Sequence, residues 1–334
     1  MKFNLIKVNL HLFNNTNVTT DSGLTNEMKT YYETQLIRTA EAALVHDQFA
    51  QKKPIPKNGG KTIEFRRYSS LPKALTPLTE GVTPDGQKLN ISNLSATVEQ
   101  YGGYVELSDV LITTAIDNNV MEATSLIADQ AARTLDTITR EVLAATTNRQ
   151  YGEGAKTATS QLVGGADSGN DYLTVAAVRR AVRALKKFNA KKIDGYYIGI
   201  VHPDTAHDLM SDPAWKAPHE YQDTANIYNG ELGAIAGVRF VESTEAKMLH
   251  GAGASGRDVY ITLIFGANAY GVTEIEGGGL QHIVKQLGSS GTADPLNQRA
   301  TVGWKAMRTA ERLVEEYIVR VETTSSFSDS DADN

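Results

Sequence analysis

The chain has 334 residues, no cysteine, and a formal net charge of −6 from 33 Lys and Arg against 39 Asp and Glu. That length fits about two domains and a core large enough to need no staples. The absence of cysteine excludes disulfides, thiolate metal sites and a cysteine nucleophile, and fits a reducing compartment. Mild acidity argues against a surface given over wholly to nucleic acid. No apolar run reaches the length a membrane-spanning helix needs. Asn4, Lys7, Asn9 and His11 interrupt any signal-peptide core, so the chain is read as mature from Met1.

Residues 1–25 are rich in Asn and Thr and are expected to form an extended N-terminal arm. Thr25 can cap a helix running to about Gln51, with Met28, Tyr32, Leu36, Ala40 and Leu44 as its buried stripe, and Pro54 and Pro56 stop it. Residues 57–107 read as an extended loop. Thr62–Tyr68 alternates like a strand, 95–107 alternates again around a bend at Gly102-Gly103, and the stretch between carries Pro72, Pro77 and Pro84. A connection of that length is uncommon inside a compact domain and is often functional. Lys73 and Lys88 are the cations within it.

Ser108-Asp109 opens a helical stretch that Asp117-Asn118-Asn119 interrupts. From Val120 to about Thr147 the helical period resumes through Ile127, Ala131, Leu135, Ile138 and Val142, giving a helix roughly 40 Å long. The Gly- and Ser-rich run from Tyr151 to Asn170 reads as a loop. Thr174 caps a helix over 175–190 that buries Val178, Val182 and Leu185. Strands follow over 195–201, 237–241, 258–265 and 280–287, and a short helix follows His202-Pro203-Asp204. Residues 300–322 alternate as a closing strand region, and 326–334, with Asp329, Asp331 and Asp333, read as a disordered tail.

The chemical candidates are few. Gly251-Ala-Gly253-Ala-Ser-Gly256 matches the dinucleotide fingerprint, but an apolar strand pattern follows it where a helix is required, so it reads as a turn. Ser70-Leu-Pro-Lys73 matches the S-x-x-K of penicillin-recognising enzymes, but Pro72 disfavours the helix that chemistry needs. His202 and His207 are badly spaced for one helical face, and a metal site would need a third ligand. No catalytic, cofactor or metal residue is therefore assigned. One basic run stands out: Arg179, Arg180, Arg183, Lys186 and Lys187, followed by Lys191 and Lys192. Its bland reading is the solvated face of an amphipathic helix. Its functional reading is contact with a polyanion such as packaged DNA, or with an acidic neighbour.

This organisation resembles the major capsid proteins of tailed bacteriophages of the Hong Kong 97 type. Three stretches carry the likeness beyond the order of elements. Tyr197-Ile-Gly-Ile-Val-His-Pro-Asp204 resembles the strand-to-helix turn of that family's axial domain. Gly230-Glu-Leu-Gly-Ala-Ile-Ala-Gly-Val-Arg-Phe-Val241 resembles its recurring hairpin. Asp294-Pro-Leu-Asn-Gln-Arg-Ala-Thr-Val-Gly-Trp-Lys305 is similar to a stretch of one coat-protein subfamily. The resemblance implies an α+β fold with an arm (1–25), an extended loop (57–107), a peripheral domain with a long spine helix (26–56, 108–194 and 281–325) and an axial domain (195–280). It implies a non-enzymatic protein of the virion, assembled in the host cytoplasm into hexamers and pentamers of an icosahedral shell. Its partners would be copies of itself, a separate scaffolding protein, a portal, decoration proteins and non-specifically packaged double-stranded DNA, with no membrane. The Lys–Asn crosslink of some relatives maps onto no motif here; Lys73 and Lys88 in the loop are the candidates for its lysine, and the crosslink is not carried over. Lys73, Lys88, Pro77 and Pro84 mark the expected inter-subunit loop. The rival reading is a two-domain α/β nucleotide-binding enzyme; a tail or portal component is a third.

Overall fold

The computed structural model describes residues 44–68, 71–78, 80–83, 85–114, 119–152, 155–164, 171–219, 231–276, 278–289, 294–327 and 330. The N-terminal arm and most of the helix expected over 25–51 lie outside them. The chain divides into two units, one from 102–131 and 280–305, the other from 43–101, 132–279 and 306 onward.

The larger unit is built on a mixed seven-stranded sheet. Its strands are β5 (Arg149–Tyr151), β6 (Tyr197–Val201), β7 (Glu231–Ile235), β8 (Val238–Glu242), β9 (Met248–Leu249), β10 (Val259–Phe265) and β14 (Ile318–Thr323). The order is β5-β14-β10-β6-β8-β7, with β9 also pairing β10. All seven residues of β10 are buried, because the sheet is covered on both faces. That is why Val-Tyr-Ile-Thr-Leu-Ile-Phe reads as a continuous apolar run and not as an alternation. On one face Tyr197, Val201, Phe240, Ile264, Val319 and Val321 meet Val178, Val182 and Leu185 of α3 (Val175–Lys187) and Ala206 and Leu209 of α4 (Pro203–Ser211). On the other face Ile198, Ile200, Ile261, Leu263 and Phe265 meet Leu143 and Ala144, the end of α2 (Asn119–Ala144), together with Tyr270 and Val272. Successive strand residues thus serve opposite faces.

In the same unit β11 (Tyr270–Glu274) pairs with β1 (Gln51–Lys52) in parallel and with 308–312 of β13 (Arg299–Arg312) antiparallel. Beyond β1 the pairing continues through Lys53 and Ile55, whose N–H groups donate to Val272 and Glu274. Pro54 falls at the intervening position, where no donor is required. The helix expected to reach Gln51 is therefore not helical at its end: 46–49 form a turn and 51–52 are strand. His46 and Asp47 bond to side chains of α2 instead of continuing a helix.

A two-stranded hairpin leaves this unit. β2 (Thr62–Tyr68) and β3 (Ile91–Thr97) pair antiparallel from Thr62↔Thr97 to Tyr68↔Ile91. The second strand expected over 95–107 is really two: β3 ends at Thr97, and β4 (Glu99–Ser108) pairs with β13 in another sheet. The hairpin thus closes earlier than the expected 57–107 loop, and only its first strand lies where expected.

In the smaller unit β12 (Gln281–Lys285) pairs antiparallel with 301–305 of β13. Gly102-Gly103 is not a bend; both lie within β4, where the chains run too close for a side chain. A Cβ on Gly102 would meet the Trp304 carbonyl oxygen at 2.7 Å, and one on Gly303 would meet the Tyr104 Cβ at 2.9 Å. α1 (Asp109–Thr114) follows, its Asp109 N–H donating to the Gln298 carbonyl at 3.0 Å. Trp304 Nε1–H donates to Gln130 of α2 at 3.1 Å.

Sheet membership cuts across the expected ranges. α3 and β14, expected in the peripheral part, belong with the seven-stranded sheet, whereas β11, expected in the axial part, pairs with β13. The closing region over 300–322 is two strands in different sheets, separated by a 3₁₀ turn at Glu315–Tyr317. The tail expected from 326 is placed through Phe327: the Ser326 N–H donates to Asp208, and Phe327 meets the His207 ring edge-on.

Candidate functional site

Two surfaces carry the functional reading, and the first is the hairpin. Its root is fixed. Phe65 is buried against Gly271 of β11, with the Lys53 ammonium 5.6 Å from its ring. Beyond the paired strands the stretch has no regular structure. Leu71, Leu75, Leu78, Val82, Leu89 and Ile91 are all exposed, Leu75 at 82% and Leu78 at 77%. Lys73, Pro77 and Lys88 are exposed as well, and Pro84 lies outside the described residues. Internal support is sparse: the Gln87 amide donates to the Pro72 carbonyl at 3.4 Å. Six large apolar side chains so displayed cost solvation free energy unless something covers them.

The second surface is the outer face of α3. Thr174 caps this helix, its hydroxyl oxygen accepting from the Ala177 N–H at 3.3 Å. Burial of Val178, Ala181, Val182 and Leu185 forces the cations to the other side. Arg179, Arg183, Lys186 and Lys187 are exposed, and Arg180 is half-buried. Lys186 and Lys187 sit in the last turn, where they complement the helix dipole. Arg180 donates to the backbone carbonyls of Tyr151 and Gly152, which hold its guanidinium in place. Arg180, Arg183 and Lys187 face an open cleft of about 540 Å³ that Arg149 and Lys156 also line. Those last two cations were not singled out in the sequence. They arrive through the parallel pairing of β5 with β14 and through the turn after it, and no local motif announces that.

The other sequence candidates resolve simply. The Gly251–Gly256 loop leads through a short 3₁₀ turn into β10, with Asp258 accepting from the Gly251 N–H at 2.8 Å; no helix follows to receive a pyrophosphate. Residues 71–75 are not helical, and Ser70, the serine of the S-x-x-K match, lies outside the described residues. His202 caps α4, its Nδ1 accepting from the Asp204 N–H at 3.3 Å, and His207 is exposed. Among the described residues no three His, Asp or Glu side chains converge as a metal site. Among them too, no helix is long and apolar enough to cross a membrane.

One buried polar cluster escaped the sequence reading. The Asp136 carboxylate of α2 accepts from the His46 N–H at 2.8 Å and lies 2.6 Å from the His46 Nδ1. Next to it Asp47 accepts from the Thr139 hydroxyl at 2.6 Å and from Arg308 of β13. Tyr270 donates to the His46 carbonyl, and burial pushes its phenol well up. Burial also lowers Arg308, to about 10. The cluster is closed to solvent, with the His46 Nε2 and Arg308 Nε left without a hydrogen-bond partner among the described residues, and its other bonds fasten residues 44–50 to α2 and β13.

A family model described as phage capsid protein matches residues 92–319. The chain belongs to that family. Among solved structures, the capsid of Ralstonia phage GP4 is similar at 15% identity and a TM-score of 0.62, over 88% of this chain and 92% of that one. The capsid of cyanophage Pam1 is similar at 16% identity and a TM-score of 0.64, over 87% and 93%. The capsid of Helicobacter pylori bacteriophage KHP30 gives 11% and 0.59, over 82% and 86%. No curated protein matches the sequence significantly. The fold is thus that of the Hong Kong 97-type shell proteins, and the chain is a major capsid protein of a phage.

Proposed function

We propose that the chain self-assembles into hexamers and pentamers of an icosahedral shell that encloses the double-stranded DNA of a tailed phage. The observation that carries this reading is the hairpin, whose leucines Leu71, Leu75, Leu78 and Leu89 stand exposed among the described residues. A closed lattice needs contacts that each subunit both offers and receives, and an apolar arm that lies on a neighbour supplies one. The exposed cations of α3 support contact with a polyanionic cargo. A separate scaffolding protein, a portal and decoration proteins complete the assembly, which takes place in the host cytoplasm. The protein acts by binding alone and needs no cofactor. Lys73, Lys88, Pro77 and Pro84 belong to the stretch assigned to the contact between subunits.

Electron microscopy of the full chain, alone and with double Leu75→Ser, Leu78→Ser substitution, tests this reading. Shells or ring-shaped capsomers are expected from the wild type and a sharp loss of them from the variant. A uniform dimer in both samples would overturn it.

A further inference from the structure

The cleft between β5 and α3 collects five cations from three parts of the chain: Arg149, Lys156, Arg180, Arg183 and Lys187. No Asp or Glu lines it among the described residues. Among the described residues, only Lys156 of these five has a carboxylate within ion-pair distance, Asp171 at 3.6 Å. Arg180 is anchored by backbone carbonyls, with no carboxylate in ion-pair distance among the described residues. Arg149 stands opposite Arg320 in the β5–β14 register. Desolvation lowers the pKa of Arg320, Glu322 offsets part of that effect, and the charge of Arg149 lowers it further. A surface merely solvating a helix would intersperse both signs and would not press one cation against another. Concentrated positive charge in a concave, partly desolvated setting is what recognises oxyanions. Arg180, Arg183 and Lys187 also fall at helical spacing along one line. They would follow a row of anions and not a single one.

We propose that this cleft is a binding site for phosphate groups, in which Arg149, Arg183 and Lys187 contact the oxyanions while Arg180 fixes the wall. The phosphates belong to a nucleic-acid backbone or to a free polyphosphate. The nucleic-acid form rests on the reading of the chain as a DNA-enclosing shell protein. Contacts from these cations to phosphate oxygens carry no base information, so binding is independent of sequence.

The test compares the full chain with the double variant R183A/K187A and with K191A/K192A, which removes the same charge outside the cleft. Neither Arg183 nor Lys187 makes an ion pair among the described residues, so the cleft variant is expected to melt like the wild type. Fluorescence anisotropy with a labelled oligonucleotide is read over a salt series, and calorimetry with inorganic tripolyphosphate is read in parallel. The cleft variant should bind DNA about tenfold more weakly, with a salt slope smaller by about two, and the control should stay within about twofold. Loss confined to the DNA arm assigns the cleft to a nucleic-acid backbone, and loss confined to tripolyphosphate assigns it to a free polyphosphate. Equal loss in both variants, no loss in either, or displacement of DNA by an acidic peptide but not by tripolyphosphate would overturn the proposal. Micrographs of the same samples separate the two readings: normal shells with an unaltered phosphate response sink only the cleft, and phosphate binding without shells sinks only the capsid reading.

Discussion

Asp136 shows how much one residue can hold. Its carboxylate satisfies both the backbone and the ring of His46, and both side chains are almost completely buried. Asp136→Ala strands two donors where water does not reach, and leaving buried polar groups unpaired costs about 3 kcal/mol. The expected outcome is a clear drop in melting temperature, with Asp136→Asn losing less because it keeps an acceptor; equal melting of all three proteins would refute the role. Glu315 ties the end of α2 to the turn before β14. Burial would raise its carboxyl, but the Thr147 N–H, the Thr146 hydroxyl and the Arg312 charge outweigh that and hold it below its ordinary 4.5. A depressed carboxyl adds stability that is complete above the unfolded value and disappears as pH falls through the folded one. Glu141, tied to Lys247 and Arg140, is depressed in the same sense. Stability is therefore expected to fall below about pH 4.5, and Glu315→Gln should flatten that acid limb in denaturant melts.

At the scale of elements, the root of the hairpin invites a paired test. Phe65→Ala removes a buried ring and should cost about 3 kcal/mol. A Cβ on Gly271 would meet that ring at 3.0 Å, so Gly271→Ala should also destabilise, by less, since the ring tip can shift. By contrast Leu75→Ser with Leu78→Ser alters exposed positions only and should leave subunit melting within about 0.5 kcal/mol of wild type. The elements legible in the sequence were those whose signal is local. Val178, Val182 and Leu185 announce α3 by their period, and the apolar run of β10 announces a strand covered on both faces. The break between β3 and β4 was hidden because Thr97-Val98-Glu99 contains neither Gly nor Pro; pairing with two different sheets makes the division. Arg149 and Lys156 were hidden for a similar reason, since β-pairing brings them to α3. Sheet membership of β11 and β14 is a long-range choice that no window of sequence displays.

At the scale of the molecule, the subunit keeps its largest core in the seven-stranded sheet, while the apolar side chains of the hairpin beyond its root stand exposed among the described residues. That division of labour suits a shell, in which stability within a subunit and contact between subunits come from different residues. The most direct measurement is cryo-electron microscopy of the full chain expressed alone and, in parallel, with a candidate scaffold. Closed shells or capsomer rings with density for the 71–91 stretch lying on an adjacent subunit are expected. A particle in which that stretch folds back onto its own subunit, or a chain that stays monomeric or dimeric under both conditions, would contradict the assignment of the hairpin as the inter-subunit contact.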